Sequence, residues 1–345
     1  MAVMGHRGAV WLLPLVLLFL QTVQTVLSDT CKVNNGNCGQ FCKDEDEGVV
    51  CSCVDGYALG DDNKTCIPVV KFPCGKLQRK HEVGREKGTA SPDAHLSNEE
   101  ATETPSDHPE VTEEAGSLPS ACPWQAVLEK HDSWFCGGTI LNEYFILTAA
   151  HCVTDSKKLR VIVGMVDREE EGPSTATHRV EKIIPYDEFD SKSFDGDIAL
   201  IKLKEPITFS EDVIPACLPE EDFANDVLMN QTFGIISGFG NSFERARPVR
   251  RMKVLQVPYV DRRTCRRALT NLVTSNMFCA GYSKDGQDAC QGDGGGPHVT
   301  EYNGTYFATG IISWGEGCGK KGKYGIYTKL SSFLPWVRSV LTQNS

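Results

Sequence analysis

The stretch Asp288-Ala289-Cys290-Gln291-Gly292-Asp293-Gly294-Gly295-Gly296-Pro297 decides how the rest of the chain is read. Two other stretches share its weight: Leu147-Thr148-Ala149-Ala150-His151-Cys152 and Asp195-Gly196-Asp197-Ile198-Ala199-Leu200. A histidine can act as a base, a carboxylate can hold its ring in one tautomer, and backbone N–H groups of a glycine-rich turn can meet a developing oxyanion. Glycine at 292 lets the backbone turn so that its N–H points outward. Position 294 is also glycine, so no side-chain oxygen stands between Asp293 and Gly295.

Around these stretches, residues 122–345 read as β-rich. Leu159-Arg160-Val161-Ile162-Val163, Asp197-Ile198-Ala199-Leu200-Ile201-Lys202-Leu203 and Lys253-Val254-Leu255-Gln256-Val257 have strand character, and Gly and Pro clusters separate such runs. Many short strands with turn signals predict a sandwich or barrel of about 200–250 residues in one domain. Phe333, Trp336, Val337, Val340 and Leu341 recur at helical spacing, which predicts a C-terminal helix capped by Ser331 or Ser332.

The three stretches resemble the T-A-A-H-C, D-x-D-I-A-L and G-D-S-G-G-P motifs of the chymotrypsin/trypsin family of serine proteases, in the same chain order. The resemblance implies a mostly β fold, a trypsin-like double β-barrel ending in a helix. It implies His151 as base, Asp197 as its orienting carboxylate, and 294 as the nucleophile position, here Gly294 with the serine lost. The N–H groups of Gly292 and Gly294 take the oxyanion-hole positions. Asp288 takes the floor of a pocket for substrate Arg or Lys, kept open by Gly315, Gly317 and Gly325. Ser313 and Trp314 fall on the substrate-binding strand, with Ser313 on the aspartate side and thus no substitute nucleophile; Phe194 and Asn271 stand near an aromatic subsite. With no oxygen at 294 no acyl-enzyme can form there. In the family, cleavage before Ile-Val-Gly-Gly frees an amine that pairs with the residue matching Asp293. Leu118-Pro119-Ser120-Ala121-Cys122-Pro123-Trp124 holds no such sequence, so no inserted amine is expected and the domain should stay zymogen-like.

Upstream, residues 31–66 hold Cys31, Cys38, Cys42, Cys51, Cys53 and Cys66, too small a module to stand without crosslinks. Spacing alone leaves 15 pairings open. The module resembles EGF-like domains, which implies Cys31–Cys42, Cys38–Cys51 and Cys53–Cys66. The protease resemblance implies Cys136–Cys152, Cys265–Cys279, Cys290–Cys318 and a Cys74–Cys217 tether. The chain has 15 cysteines, so one is left over: Cys122, expected to be free, capped by a small thiol or bridged to another molecule. Such cysteine usage points to an oxidising compartment.

The organisation expected is a signal peptide at 1–28, an EGF-like module at 29–67, a tether and acidic disordered linker at 68–121, and the protease-like domain at 122–345. His6 and Arg7 precede an apolar run too short to span a bilayer, so the leader is read as a secretory signal and the chain as extracellular. The linker's acidity also fits a docking tail. Signal, EGF module, tether and protease domain together resemble the vitamin K-dependent clotting proteases. Those relatives carry a Gla domain and a further EGF module, neither expected here, so no Gla-mediated membrane binding is expected. The loop 164–171 is acidic and could hold calcium, but Met165 stands where relatives place a carboxylate ligand for that ion; a solvated loop is the other reading, and no other metal or cofactor is expected. Net charge of −11 argues against nucleic acid. Arg245, Arg247, Arg250 and Arg251, with Arg262, Arg263, Arg266 and Arg267, form basic clusters that could face coagulation cofactors, protease inhibitors or heparin-like polyanions, or simply solvent. Asn63, Asn230 and Asn303 open glycosylation sequons.

These features predict a secreted homologue of the clotting proteases that acts by binding. Two alternatives stay open: an altered or inactivated variant of a coagulation endopeptidase cleaving after Arg, and a decayed paralogue without function.

Overall fold

Crosslinks come first in the chain and barrels second. The structure, a computed structural model, describes residues 30–77, 122–130, 133–154, 158–241, 248–284 and 288–344. The leader, residues 78–121, and Arg245 and Arg247 lie outside the described residues. The N-terminal module is two antiparallel hairpins, β1 (Phe41–Glu45) with β2 (Gly48–Ser52) and β3 (Tyr57–Leu59) with β4 (Cys66–Pro68). Disulfides Cys31–Cys42, Cys38–Cys51 and Cys53–Cys66 lace it.

Six strands then close a first barrel: β5 (Gln125–Lys130), β6 (Ser133–Ile140), β7 (Phe145–Thr148), β8 (Leu159–Val163), β9 (Ala176–Pro185) and β10 (Ala199–Leu203). They run in the order β10-β7-β6-β5-β8-β9, antiparallel throughout. Leu128, Ile140, Ile146, Leu147, Leu200, Ile201 and Leu203 of these strands are fully buried, on the inner face or beneath the packing outside it, each contributing roughly 1.5–3 kcal/mol. A second barrel closes as β11-β12-β13-β16-β15-β14. Its strands are β11 (Phe233–Gly238), β12 (Lys253–Val260), β13 (Met277–Ala280), β14 (Pro297–Tyr302), β15 (Thr305–Gly315) and β16 (Gly325–Lys329). Closure leaves no free sheet edge in either barrel.

Four helices punctuate the described strands: α1 (Ala150–Val153), α2 (Glu221–Asp226), α3 (Arg262–Ala268) and α4 (Leu334–Gln343). The last is the predicted C-terminal helix, burying Val337 and Val340 and setting Trp336 edge-on to Tyr186. Its predicted serine cap is a correction. A 3₁₀ turn over Leu330–Phe333 comes first, so Phe333 is the N-cap, with no side-chain bond, and Ser331 Oγ pairs with Asn225 Oδ1 at 2.8 Å. No described helix is long and apolar enough to cross a membrane.

The small module is seated on the second barrel by aromatic rings. Phe41 meets Phe223 of α2 edge-on at 5.4 Å between centroids, and Phe223 meets Phe307 of β15 at 5.2 Å. Tyr57 donates its hydroxyl to the Cys74 carbonyl at 2.8 Å, beside the Cys74–Cys217 disulfide. Gly75 runs so close to β15 that a Cβ there would lie 2.3 Å from the Tyr306 carbonyl.

Candidate active site

The site forms where the barrels meet. β7 ends in α1, which carries His151; the turn before β10 carries Asp197; the loop before β14 carries residues 288–296. Asp197 is fully buried. Its Oδ1 accepts the His151 backbone N–H at 2.9 Å and its Oδ2 lies 2.8 Å from His151 Nδ1. Ser313 Oγ donates to the same Oδ2 at 2.5 Å, and Thr328 Oγ1 donates to the Asp197 carbonyl at 2.8 Å. A carboxylate only accepts, so Nδ1 carries a proton, and the neutral ring has its lone pair on Nε2. A Cβ placed on Gly294 would lie 3.0 Å from that Nε2. Gly294 is absent from the positive-φ glycines, so its backbone admits an L side chain. A base is therefore positioned and oriented against a residue with no proton to give.

The loop around it is pinned from several sides. Gly137 N–H donates to the Gly294 carbonyl at 2.8 Å and Gly295 N–H to the Ile312 carbonyl at 2.7 Å. Gly295, at φ 79°, has no room for a Cβ, which would lie 2.3 Å from Thr148 Oγ1. Gly292 turns at φ 95°. Among the described residues, no protein acceptor takes the Gly292 or Gly294 N–H, and two free donors beside the base are what an oxyanion hole requires.

Asp293 has a partner that the sequence did not reveal. No inserted amine was expected for it, and Lys253 Nζ, a side-chain cation, pairs with its Oδ2. The carboxylate also accepts N–H groups from Gly240 at 2.7 Å and Cys290 at 2.9 Å. Burial pushes its pKa up while Lys253 opposes that shift. Lys253 was legible only as a strand residue; a lysine opening an apolar run was the available signal.

A cleft of about 470 Å³ joins these parts, lined by His151, Phe194, Gly292, Gly294, Trp314, Gly315, Gly317 and Gly325 among others. Asp288 Oδ1 lies 3.2 Å from where a Cβ on Gly325 would stand, so the carboxylate lies directly beside the cleft wall that Ala289 and Gly325 form. Burial lifts its pKa to about 6, partly offset by the Ala289 N–H it accepts at 2.7 Å. Among the described residues no cation pairs with it. A buried, unpaired carboxylate beside a cleft suits a cationic guest.

The remaining disulfides are Cys136–Cys152, Cys265–Cys279 and Cys290–Cys318. Cys122 is free and only 2% exposed, with burial pushing its thiol up to about 12. It offers no accessible sulfur for a cap or an intermolecular bridge. Cys136, His151 and Cys152 cluster, but the two sulfurs are bonded to each other and are not thiolate ligands. In the acidic loop, Met165 is buried and Asp167 is taken by Arg250 Nε at 2.9 and 3.0 Å. Arg262 donates to the Val273 and Thr274 carbonyls, while Arg263, Arg266 and Arg267 stay exposed on α3. Asn63, Asn230 and Asn303 are exposed.

Residues 113–337 match the Trypsin family model, and residues 31–66 match the model described as the Coagulation Factor Xa inhibitory site. The chain belongs to the trypsin family. Its N-terminal module is of the kind found beside coagulation-type serine protease domains.

Proposed function

We propose that this chain is a secreted, factor X-like member of the trypsin family that binds arginyl or lysyl ligands in its cleft and does not cut them. Gly294 carries the reading: the base, its carboxylate, two free N–H donors and the Asp288 pocket surround a position with no nucleophilic atom. In serine proteases, losing the nucleophile costs about 10⁶ in turnover, and binding with an oxyanion hole alone leaves roughly 10³–10⁴ over water. Ligands of this chemistry include reactive loops of protease inhibitors and basic segments of coagulation cofactors. The exposed arginines of α3 add a surface for heparin-like polyanions. No resident metal or cofactor is required by the reading.

The test is paired. A tagged fluorophosphonate should not label the chain and an arginyl chromogenic peptide should not turn over, while p-aminobenzamidine should bind. Labelling with turnover in a contaminant-free preparation would overturn the reading.

A further inference from the structure

Arg250 and Lys253, three residues apart where the chain enters β12, send their charges to opposite sides. Lys253 is mostly buried; its Nζ meets Asp293 and donates to the Asn241 carbonyl at 3.0 Å. Asp293, 1% exposed, grips the loop it belongs to: its carboxylate takes the Cys290 N–H and its carbonyl takes the Gly296 N–H at 2.9 Å. Between those two residues lie the N–H groups of Gly292 and Gly294. Space for the carboxylate is reserved, since a Cβ on Gly238 would lie 2.2 Å from its Oδ1 and one on Gly240 2.6 Å from its Cγ.

Arg250 reaches the other way. Its Nε meets both oxygens of Asp167 and its Nη1 lies 3.1 Å from Glu169. The backbones join as well: Arg168 N–H donates to the Arg250 carbonyl and Met252 N–H to the Val166 carbonyl, both at 2.9 Å. The acidic loop of the first barrel thus holds residues 250–252, and 253 follows directly. A guanidinium already pairs with three of this loop's carboxylates, Asp167, Glu169 and Glu170.

We infer that residues 250–253 are an internal strut that keeps the cleft assembled in the uncut chain. Lys253 seats Asp293 and with it the loop 290–296, and Arg250, clamped by Asp167, sets where Lys253 enters. Lys253 and Arg250 are positioning residues, since neither lines the cleft. This deepens the non-cutting reading, resting on it for the ligand but not for the loop's order.

The test uses the full chain, with two readouts. Amide hydrogen exchange over residues 288–296 reports loop order without ligand, and p-aminobenzamidine fluorescence reports the cleft. Removing one partner of a buried pair leaves an uncompensated charge, so Lys253→Met should speed loop exchange and weaken the probe by on the order of 100-fold. Exchange in β5 to β8 should not change. Lys253→Arg should keep both close to wild type, and Arg250→Gln should move both by about tenfold in the same direction. Unchanged loop exchange in Lys253→Met overturns the strut, and unchanged exchange in Arg250→Gln overturns the clamp. Should Lys253→Met not fold, Lys253→Met with Asp293→Asn buries no unpaired charge and replaces it. Its loop exchange should then exceed wild type at least about tenfold, and wild-type exchange there overturns the strut. A wild-type chain whose loop is protected but which fails to bind the probe sinks the ligand reading and leaves the strut standing.

Discussion

Gly294→Ser asks whether a nucleophile is all that this site lacks. The backbone at 294 takes a side chain without left-handed strain, and a Cβ there stands 3.0 Å from His151 Nε2. That contact is tight by a few tenths of an ångström. The imidazole can yield, because its side chain is 27% exposed; besides Asp197 at Nδ1 and Cys152 Sγ at 3.5 Å from Nε2, it meets the edge of Phe194, 5.7 Å away. The new hydroxyl would then reach the Nε2 lone pair, whose Nδ1 proton is already fixed by Asp197. Restoring a nucleophile regains up to about 10⁶ in turnover, or about 8 kcal/mol at 1.36 kcal/mol per decade. Allowing about a decade for the ring's adjustment, the gain should be about 10⁵-fold. Hydrolysis of an arginyl nitroanilide by the uncut chain measures it, with fluorophosphonate labelling to count sites and Gly294→Ser with His151→Ala as the control. A variant that folds and binds p-aminobenzamidine, yet neither labels nor turns over, would refute the reasoning. The oxyanion donors would then not be placed as their freedom from protein acceptors implies.

Asp288 supplies two further expectations. With its free carboxyl titrating at about 6, affinity for benzamidine should fall about tenfold per pH unit below 6, because the cation pairs only with the ionised form; an affinity flat from pH 7 to 5 by calorimetry would exclude Asp288 as the partner. The raised pKa means the native state binds this proton more tightly than the unfolded chain. The associated stability is therefore full below pH 3.8 and lost as pH rises to about 6. Asp288→Asn should stabilise the apo chain at pH 8 by up to roughly 3 kcal/mol for a shift of about two units, seen as a higher thermal midpoint, while weakening benzamidine; no gain at pH 8 over pH 4 would count against a desolvated carboxylate. Phe223→Ala should cost about 3–5 kcal/mol and loosen the seated module, seen as faster limited proteolysis within residues 30–77. Millimolar calcium should leave the thermal midpoint unchanged, since Arg250 already occupies Asp167; a clear rise would show that the guanidinium gives way.

The motifs carried most of the site. His151, Asp197 and the glycine-rich loop are local runs, and their meeting at one site was legible through the resemblance of those runs to the family's motifs, not from the runs themselves. The barrels were legible as many short strands, because alternation marks which face is inside. What escaped was charge pairing between distant segments. Lys253 and Asp293 lie forty residues apart in sequence, and neither run announces the other. Arg250 read as part of a basic surface cluster, yet the fold turns it onto three carboxylates. The helix cap failed for a local reason: the spacing gave the apolar face but could not tell a 3₁₀ turn from the first turn of the helix.

The bond between Cys74 and Cys217 bears on what a cut would do. It joins a residue before 78–121 to one well after it. A single scission anywhere in that interval would yield two polypeptides still travelling as one particle, heavier only by the water consumed, until a reductant is added. Loss of the small module would therefore need two events, one hydrolytic and one reductive. In an oxidising fluid the second does not occur, so a nick there changes which termini are displayed without changing which domains are present.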